Sequence, residues 1–258
     1  MPPASTRSDG RPVLDPKLSR PAQVAEAIKH YIVREKLQPG DRLPSEPELI
    51  ERFGMAKGTI REALRLLDAQ GLVKSRTGPG GGTFVHEVSP ERATALLANY
   101  FYFKDLTISD IYQLRRVLEP ELVASLAGTL PPRVIARLRE IVATYAEPAM
   151  TDDEERDQHI ATLGFHKVLA DQSSNPLLSF LIGFMLTILT DITVYRRLYT
   201  PINRDLWKRG LDYHLRLIEA LEAGDGSAAR AIMKAHMQTA QPLMEGQEAF
   251  SLRRFIKD

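Results

Sequence analysis

The stretch from residue 46 to residue 85 places the tightest constraint on how this chain can fold. It reads EPELIERFGMAKGTIREALRLLDAQGLVKSRTGPGGGTFV, which predicts a short helix, a turn at Gly54, a second helix, and two strands joined by glycines. Gly71 stands where the C-cap of the second helix belongs. The apolar residues at helical spacing that should face the core are Ile60, Ala63, Leu64 and Leu67. Helix, turn, helix and hairpin is the order of a winged helix-turn-helix, whose second helix enters the major groove of DNA.

A longer motif carries a family resemblance. The sequence LQPGDRLPSEPELIERFGMAKGTIREALRLLDAQGLV, followed by GGGTFV, resembles the DNA-binding domain of the GntR family of bacterial transcription regulators. The chain departs from the family pattern at Pro47, where many members have an arginine, and at Ala56, where a serine or threonine is common. The resemblance implies a cytoplasmic, nucleoid-associated regulator, more often a repressor, that binds a palindromic double-stranded DNA operator as a homodimer.

Polar and basic residues of this motif are the candidates for DNA contact, since arginine and lysine bind phosphate and guanine. Charged residues on an exposed helix are usually only solvated, and here their position in the motif favours the binding role. The candidates are Ser45, Lys57, Thr59, Arg61, Arg65, Arg76, Gly80, Gly81 and Thr83.

Length and composition set the wider frame. A chain of 258 residues suits two domains, and the absence of cysteine excludes disulfides and thiolate metal sites. The formal net charge of +1 does not by itself indicate a nucleic-acid partner. The predicted organisation is a disordered tail (1–17), the winged helix-turn-helix (18–86), a linker (87–90), an all-α domain (91–248) and a C-terminal tail (249–258).

Everything after Ser89 shows helical patterning, with breaks at Pro131-Pro132, Asn175-Pro176 and Thr200-Pro201. The apolar run at 177–192 falls short of the roughly 20 residues that span a membrane. The fold class is therefore mainly α, with a bundle of six or seven helices behind the winged helix. Three phrases resemble the FCD effector domain of the FadR subfamily: LRRVLEPELVASLA (114–127), GFHKVLADQSSNPLL (164–178) and HLRLIEALEAGDGSAARAIMKAHM (214–237).

Three histidines on three predicted helices form the candidate metal site. Neutral imidazole suits zinc, nickel and related ions, and the resemblance implies that His166, His214 and His236 bind one divalent ion per subunit. Thr162 stands where metal-binding members have a fourth ligand, an aspartate. The alternative is a FadR-like pocket that binds acyl-CoA or another organic ligand without metal.

The same resemblance implies a small-molecule effector, most simply a carboxylate. Tyr112 and Arg115 share one helical face, and the guanidinium fork of Arg115 suits a carboxylate. Thr162 and Asn175 complete the predicted effector site, although Asn175 also suits an N-cap role. The alternative for Arg115 is a surface salt bridge with Glu119, which would contribute little.

No catalytic motif stands out, so we expect the protein not to be an enzyme. The segment GPGGGT lacks the lysine and following helix of a phosphate-binding loop, and no G-x-S-x-G motif is present. A metal held by three histidines could activate water, which leaves a metallohydrolase fused to a DNA-binding domain as the remote alternative.

Overall fold

The computed structural model describes residues 17–101 and 103–255, with side chains up to Ser251. Two compact units divide the chain, residues 1–93 and residues 94–258. In chain order the described elements are α1 (Arg20–Arg34), α2 (Glu46–Phe53), α3 (Lys57–Gln70), β1 (Val73–Arg76), β2 (Gly82–Val85), α4 (Pro90–Phe101), α5 (Ile108–Leu126), α6 (Pro132–Ala143), α7 (Asp152–Ala170), α8 (Pro176–Tyr195), α9 (Arg204–Glu222) and α10 (Gly226–Phe255). This is the predicted order of a winged helix-turn-helix followed by an all-α domain, and the fold prediction is confirmed.

The core of the first unit lies where α1 packs against α3. The four residues predicted to face inward from α3 are all buried, and Val24 and Ile28 of α1 join them. Gly54 and Gly71 end α2 and α3 in the left-handed conformation, with φ of 62° and 81°. Glycine reaches this conformation without steric cost, so both turns form at the predicted positions.

The wing is an antiparallel hairpin in which Val73 pairs with Val85 and Arg76 with Gly82. Arg42 supports its tip from outside, because its Nη2 donates a hydrogen bond of 2.6 Å to the carbonyl oxygen of Gly81. A residue far away in sequence therefore holds the glycine-rich tip in place.

The second unit is a bundle whose helices contribute to one apolar core. The long helix α10 packs against α5 and α9, while α7 packs against α6 and α8. Gly128 and Gly224 meet where the turns after α5 and α9 cross, and a Cβ on Gly128 would lie 3.1 Å from Cα of Gly224. The apolar stripes of these helices face one another, which is how a helical bundle buries its core.

Helix α8 is the most apolar element. It is long and apolar enough to cross a membrane by length and composition, a test that a core helix of a soluble protein also passes. The middle of α8, from Ile182 to Leu186, is buried within the bundle, as is Leu189. These residues contribute to the core of the bundle, while 33% of the apolar window of α8 as a whole is buried.

The C-terminal boundary differs from the sequence prediction. Residues 249–258 were expected to form a tail, but α10 continues to Phe255. Polar contacts hold this last part of the helix: Gln247 Nε2 donates to the carbonyl oxygens of Leu198 and Pro201 at 3.0 and 2.9 Å. Ser251 Oγ donates to the carbonyl oxygen of Arg196. The predicted N-terminal tail, apart from Lys17, lies outside the described residues.

Candidate functional site

Three helices of the bundle bring the predicted histidines together. His166 lies on α7, His214 on α9 and His236 on α10, and all three side chains are buried. One nitrogen of each ring lies within 4.8 Å of the corresponding nitrogen of the others. The structure therefore assembles the cluster that the sequence suggested.

Glu119 fixes the orientation of His166. Burial would raise the pKa of Glu119, but the charge of Arg115 and the hydrogen bonds from His166 and Arg115 outweigh it and hold that pKa well below its usual range. An ionised carboxylate only accepts hydrogen bonds, so Nδ1 of His166, 2.5 Å from Glu119 Oε2, is the donor. The other ring nitrogen, Nε2, is then unprotonated and faces His214, where its lone pair could bind a metal, and a carboxylate behind a histidine ligand is common in metal sites.

His214 is held in a similar way. Its Nδ1 lies 2.9 Å from the hydroxyl oxygen of Tyr145, and its ring stacks on Phe165 at a centroid distance of 4.2 Å. Its Nε2 faces Nε2 of His166 at 3.3 Å. Two nitrogens bound to one tetrahedral zinc at about 2.0–2.1 Å lie about 3.3–3.4 Å apart, so this pair has the separation that a shared ion requires.

The protonation states also suit a metal. Burial lowers the pKa of His166, although Glu119 opposes this, and burial lowers the pKa of His214 and His236 well below the ordinary value. All three rings are then neutral at pH 7, as metal ligands must be. The donor set fits zinc, nickel or a similar divalent ion.

Thr162 does not supply the aspartate ligand that the family resemblance implies at this position. Its hydroxyl donates a hydrogen bond of 2.8 Å to the carbonyl oxygen of His159, in its own helix. The residue lines the cavity beside the histidines, but it adds no negative charge. A metal held here would retain its full positive charge for other ligands.

Arg115 lies in the interior, with only 1% of its surface exposed. Its Nε donates to Glu119 Oε1 at 2.5 Å, and its guanidinium lies over the ring of Tyr112, 4.9 Å from the centroid. The salt bridge with Glu119 therefore exists, but it is buried instead of lying on the surface, and its arginine lines the cavity. The sequence analysis treated Glu119 only as a partner of Arg115 and missed its contact with His166.

A cavity of about 60 Å³ connects these groups. The three histidines, Tyr112, Arg115 and Thr162 line it, as predicted for a shared site. Gln158, Thr193, Tyr145 and Glu155 also line it, and the sequence analysis singled out none of them. Glu155 and Gln158 could have been predicted from helical spacing, because they share one face of α7 with Thr162.

Asn175 is not part of this cavity. It lies exposed at the start of α8, where its Oδ1 accepts hydrogen bonds from the backbone N–H groups of Leu177 and Leu178. The structure assigns Asn175 the capping role, and the prediction of an effector contact is corrected accordingly, because its amide is committed to the helix N-terminus.

The predicted DNA-contacting face of α3 is open to solvent. Lys57, Arg61 and Arg65 are exposed and Thr59 is half-buried. Arg61 pairs with Glu46 at 3.0 Å and Arg65 with Glu62 at 3.3 Å. Exposed ion pairs of this kind contribute little, so both arginines can exchange these partners for phosphate or base.

The remaining candidates lie on the wing and at the start of α2. Arg76 lies over the ring of Phe84 at 4.8 Å, and the hydroxyl of Thr83 is 3.4 Å from that of Ser75. Gly80 is exposed and Gly81 half-buried at the tip. Ser45 is the N-cap residue of α2, and its backbone N–H and hydroxyl both donate to the carboxylate of Glu48 in a capping box.

Comparisons with known proteins agree with this architecture. The family described as "Bacterial regulatory proteins, gntR family" matches residues 21–85, and the FCD domain matches residues 110–239. The HTH-type transcriptional regulator LutR of Bacillus subtilis (strain 168) is 30% identical over 212 residues, covering 82% of this chain and 94% of its own length. The Glc operon transcriptional activator of Escherichia coli (strain K12) is 27% identical over 228 residues, with coverages of 84% and 85%.

A solved structure shows the same fold. Streptococcus agalactiae GntR aligns with a TM-score of 0.60 and 23% identity, covering 86% of this chain and 99% of its own. The exposed face of α3 lies within one matched family domain and the histidine cluster within the other.

Proposed function

The chain belongs to the gntR family of bacterial regulatory proteins and carries an FCD domain, and from that premise we propose that it is a homodimeric repressor controlled by a small carboxylate. Members of this family are DNA-binding transcription regulators with an effector-binding C-terminal domain, so the metallohydrolase alternative is set aside. On this proposal the effector binds in the cavity of the all-α unit and lowers the affinity for a palindromic operator.

The size of the cavity supports a small effector. A water-sized probe occupies about 10–15 Å³, so 60 Å³ holds roughly four to six such positions. This matches a carboxylate of a few carbon atoms. An acyl-CoA, with a long chain and a nucleotide, is far larger, and this disfavours the FadR-type alternative.

The formal charge at the cavity favours an anionic effector if a divalent metal ion is bound. Arg115 and Glu155 line the cavity, and Glu119 pairs with Arg115 without lining it, so these three groups together have a formal charge of −1. A divalent ion on His166, His214 and His236 would change this total to +1. When bound, such an ion supplies a Lewis-acidic positive charge that an effector carboxylate can ligate.

The observation that carries the proposal is an unpaired atom of Arg115. Its Nη2 is buried and has no hydrogen-bond partner among the described residues. A buried charged donor without an acceptor is costly. Because it borders a cavity next to three neutral histidines, it suits one oxygen of an effector carboxylate.

Exposed apolar side chains on the second unit support self-association. Leu114 and Val117 of α5 are 54% and 64% exposed, and Leu177 and Leu181 of α8, which packs against α5, are 64% and 38% exposed. A homodimer would bury such side chains, and its two winged helices would read the two halves of a palindrome. We place this assembly in the cytoplasm, on DNA.

The test begins by selecting bound duplexes from a random DNA library. Operator affinity is then measured by fluorescence anisotropy, with zinc and a panel of two- to four-carbon carboxylates. We expect a palindromic consensus and at least one acid that weakens binding about tenfold or more. Arg115→Lys should raise the acid concentration required at least tenfold, because lysine lacks the guanidinium fork. Its exposed neighbour provides the control, Arg116→Lys. A consensus without any acid response would contradict the proposed effector.

A further inference from the structure

The tip of the wing consists largely of glycine. The chain reads TGPGGG from residue 77 to residue 82, directly after the last paired residue of β1. Gly78 and Gly80 have φ of 94° and 75°, which glycine adopts without steric cost. At Gly81, a Cβ would lie 2.6 Å from the carbonyl oxygen of Arg76. A segment of this composition has many accessible conformations, so a single conformation requires support from elsewhere in the protein.

A segment that precedes α2 lies beside the wing. The backbone N–H of Leu43 donates a hydrogen bond of 2.8 Å to the carbonyl oxygen of Thr83 in β2. Arg42 and Phe84 form an isolated antiparallel bridge. The side chain of Leu43 is buried in the core of the first unit. The backbone of residue 42 is therefore anchored to the core and to β2 together, although it lies outside the hairpin.

The side chain of Arg42 extends from this anchor to the tip. Its Nη2 donates to the carbonyl oxygen of Gly81 at 2.6 Å, and a hydrogen bond from a charged donor is stronger than one between neutral groups. A Cβ on Gly82 would lie 2.7 Å from Nε of Arg42 and 3.1 Å from Nη2. The missing side chain at residue 82 thus leaves the space that the guanidinium occupies. Arg42 and the tip fit each other in both shape and hydrogen bonding.

This contact has a consequence for DNA binding, because Gly80 and Gly81 are among the predicted DNA contacts. A loop that becomes ordered only on binding loses conformational freedom at that step, and the affinity falls accordingly. A tip that Arg42 already holds avoids this loss. The competing role for an exposed arginine is a direct bond to phosphate. In the structure, however, the guanidinium of Arg42 is committed to the backbone of the tip.

We propose that Arg42 is a positioning residue for DNA recognition, which orders the wing tip before the operator is bound. Arg42 acts through the tip and not as a ligand of phosphate. The inference requires that the wing contacts DNA, and it is independent of the proposed metal and effector. It adds to the DNA-contacting surface a residue that lies outside both the recognition helix and the hairpin.

Operator affinity gives the first test. The full-length protein and the selected operator are used without zinc or acid, by fluorescence anisotropy at several salt concentrations. Arg42→Ala should weaken binding roughly tenfold, the size of one lost charge-assisted hydrogen bond. The slope of log affinity against log salt should stay unchanged, whereas loss of a phosphate contact would reduce it by about 0.9. Arg42→Lys should recover part of the affinity, because it keeps a charged donor.

The control for these variants is Arg34→Ala. Arg34 is an exposed arginine at the end of α1 that pairs with Glu35, so its removal should leave operator affinity unchanged. Melting curves establish that each variant is folded.

The order of the tip gives the second test, which a loss of affinity alone cannot replace. Glycine is labelled with ¹⁵N, and backbone order parameters are measured for Gly78, Gly80, Gly81 and Gly82 without DNA. Wild type should give values near those of rigid backbone, about 0.85, and Arg42→Ala should give values below about 0.6. In the operator complex the same glycines of Arg42→Ala should become ordered again.

Three results would overturn the proposal. A tip as ordered in Arg42→Ala as in wild type would show that other contacts hold it. A mobile tip with unchanged operator affinity would place the tip outside the DNA interface. A salt slope reduced by about 0.9 would make Arg42 a phosphate ligand.

Discussion

Glu119 and His166 are joined by a hydrogen bond of 2.5 Å between carboxylate Oε2 and imidazole Nδ1, although 47 residues separate them in sequence. The other oxygen of Glu119 accepts from Arg115. One carboxylate therefore contacts both the predicted metal ligand and the predicted effector-binding arginine. We therefore expect a change at either residue to affect the other through Glu119, and energetic coupling of this kind is reciprocal.

Replacement of Glu119 by glutamine tests this link. Glu119→Gln leaves the buried guanidinium of Arg115 without a counter-charge, and breaking a buried pair costs about 3–5 kcal/mol. It also weakens the support of His166, so zinc affinity should fall about 10- to 100-fold. Urea unfolding and zinc titration provide the two measurements. Glu121→Gln is the control. Glu121 is an exposed residue on α5 that pairs with Arg230, so its substitution should change neither the free energy of unfolding nor the zinc affinity. Unchanged zinc affinity in Glu119→Gln would remove Glu119 from the metal site.

Removal of Arg61 tests the DNA-contacting face. Arg61→Ala should weaken operator binding about 10- to 100-fold, the usual result of losing one base or phosphate contact. Its ion pair with Glu46 is exposed, so the fold should persist. Fluorescence anisotropy with the selected operator measures the loss, and a melting curve checks the fold. The control is Arg137→Ala, which removes an exposed arginine from α6. Equal affinities of Arg61→Ala and wild type would place Arg61 outside the interface.

Acidification should destabilise the metal-free protein. The pKa values of His166, His214 and His236 lie below their ordinary value of about 6.5 in the folded state, chiefly through burial. Between those lowered values and pH 6.5 the unfolded chain binds more protons, so stability rises with pH across this window. Lowering the pH from 7 to 5 should therefore reduce the free energy of unfolding of the metal-free protein.

Glu119 does not account for this loss. Its pKa is lowered in the folded state, so its stabilising contribution is complete above about pH 4.5 and is lost only below that pH. Urea unfolding between pH 5 and pH 8 in the presence of a chelator gives the measurement. His236→Asn, which removes one titrating ring, should show a flatter profile. A wild-type profile that is flat from pH 7 to pH 5 would contradict the prediction.

Replacement of Thr162 by aspartate tests the charge of the site. Thr162→Asp supplies the carboxylate ligand that the family resemblance implies and should tighten zinc binding about tenfold or more. The added negative charge should at the same time weaken binding of the effector acid. Thr162→Asn is the neutral control. Elemental analysis and zinc titration decide between the outcomes. If neither wild type nor Thr162→Asp holds a divalent ion at micromolar concentration, the histidines are polar lining of the cavity and the metal proposal is wrong.

Local pattern explains which features could be predicted. The buried face of α3 follows from helical spacing, and the glycine turns follow from backbone conformation. The convergence of His166, His214 and His236 was expected from the family resemblance. Spacing alone could not give it, because three separate helices contribute one ring each.

Non-local contacts explain what was missed. The bond between Glu119 and His166 depends on how α5 packs against α7. The orientation of the Gln158 side chain depends on where the backbone of Glu147 lies, because its amide nitrogen donates to the carbonyl oxygen there. The last turns of α10 were assigned to a tail because Gln247 and Ser251 find their partners about 50 residues earlier. Each of these features depends on tertiary packing that periodicity does not encode.

The carboxylate of Glu155, counted above in the lining of the cavity, has a consequence for what the cell can sense. Without an ion, Arg115, Glu119 and Glu155 together have a negative formal charge, which would disfavour the anion that the site is proposed to detect. On this proposal the regulator would respond only to metabolite and metal together: either one alone would leave the gene in the same state. A bacterium short of zinc or nickel would then keep the controlled genes silent even when their inducer is abundant. Expression of these genes would therefore depend on metal supply as well as on the effector.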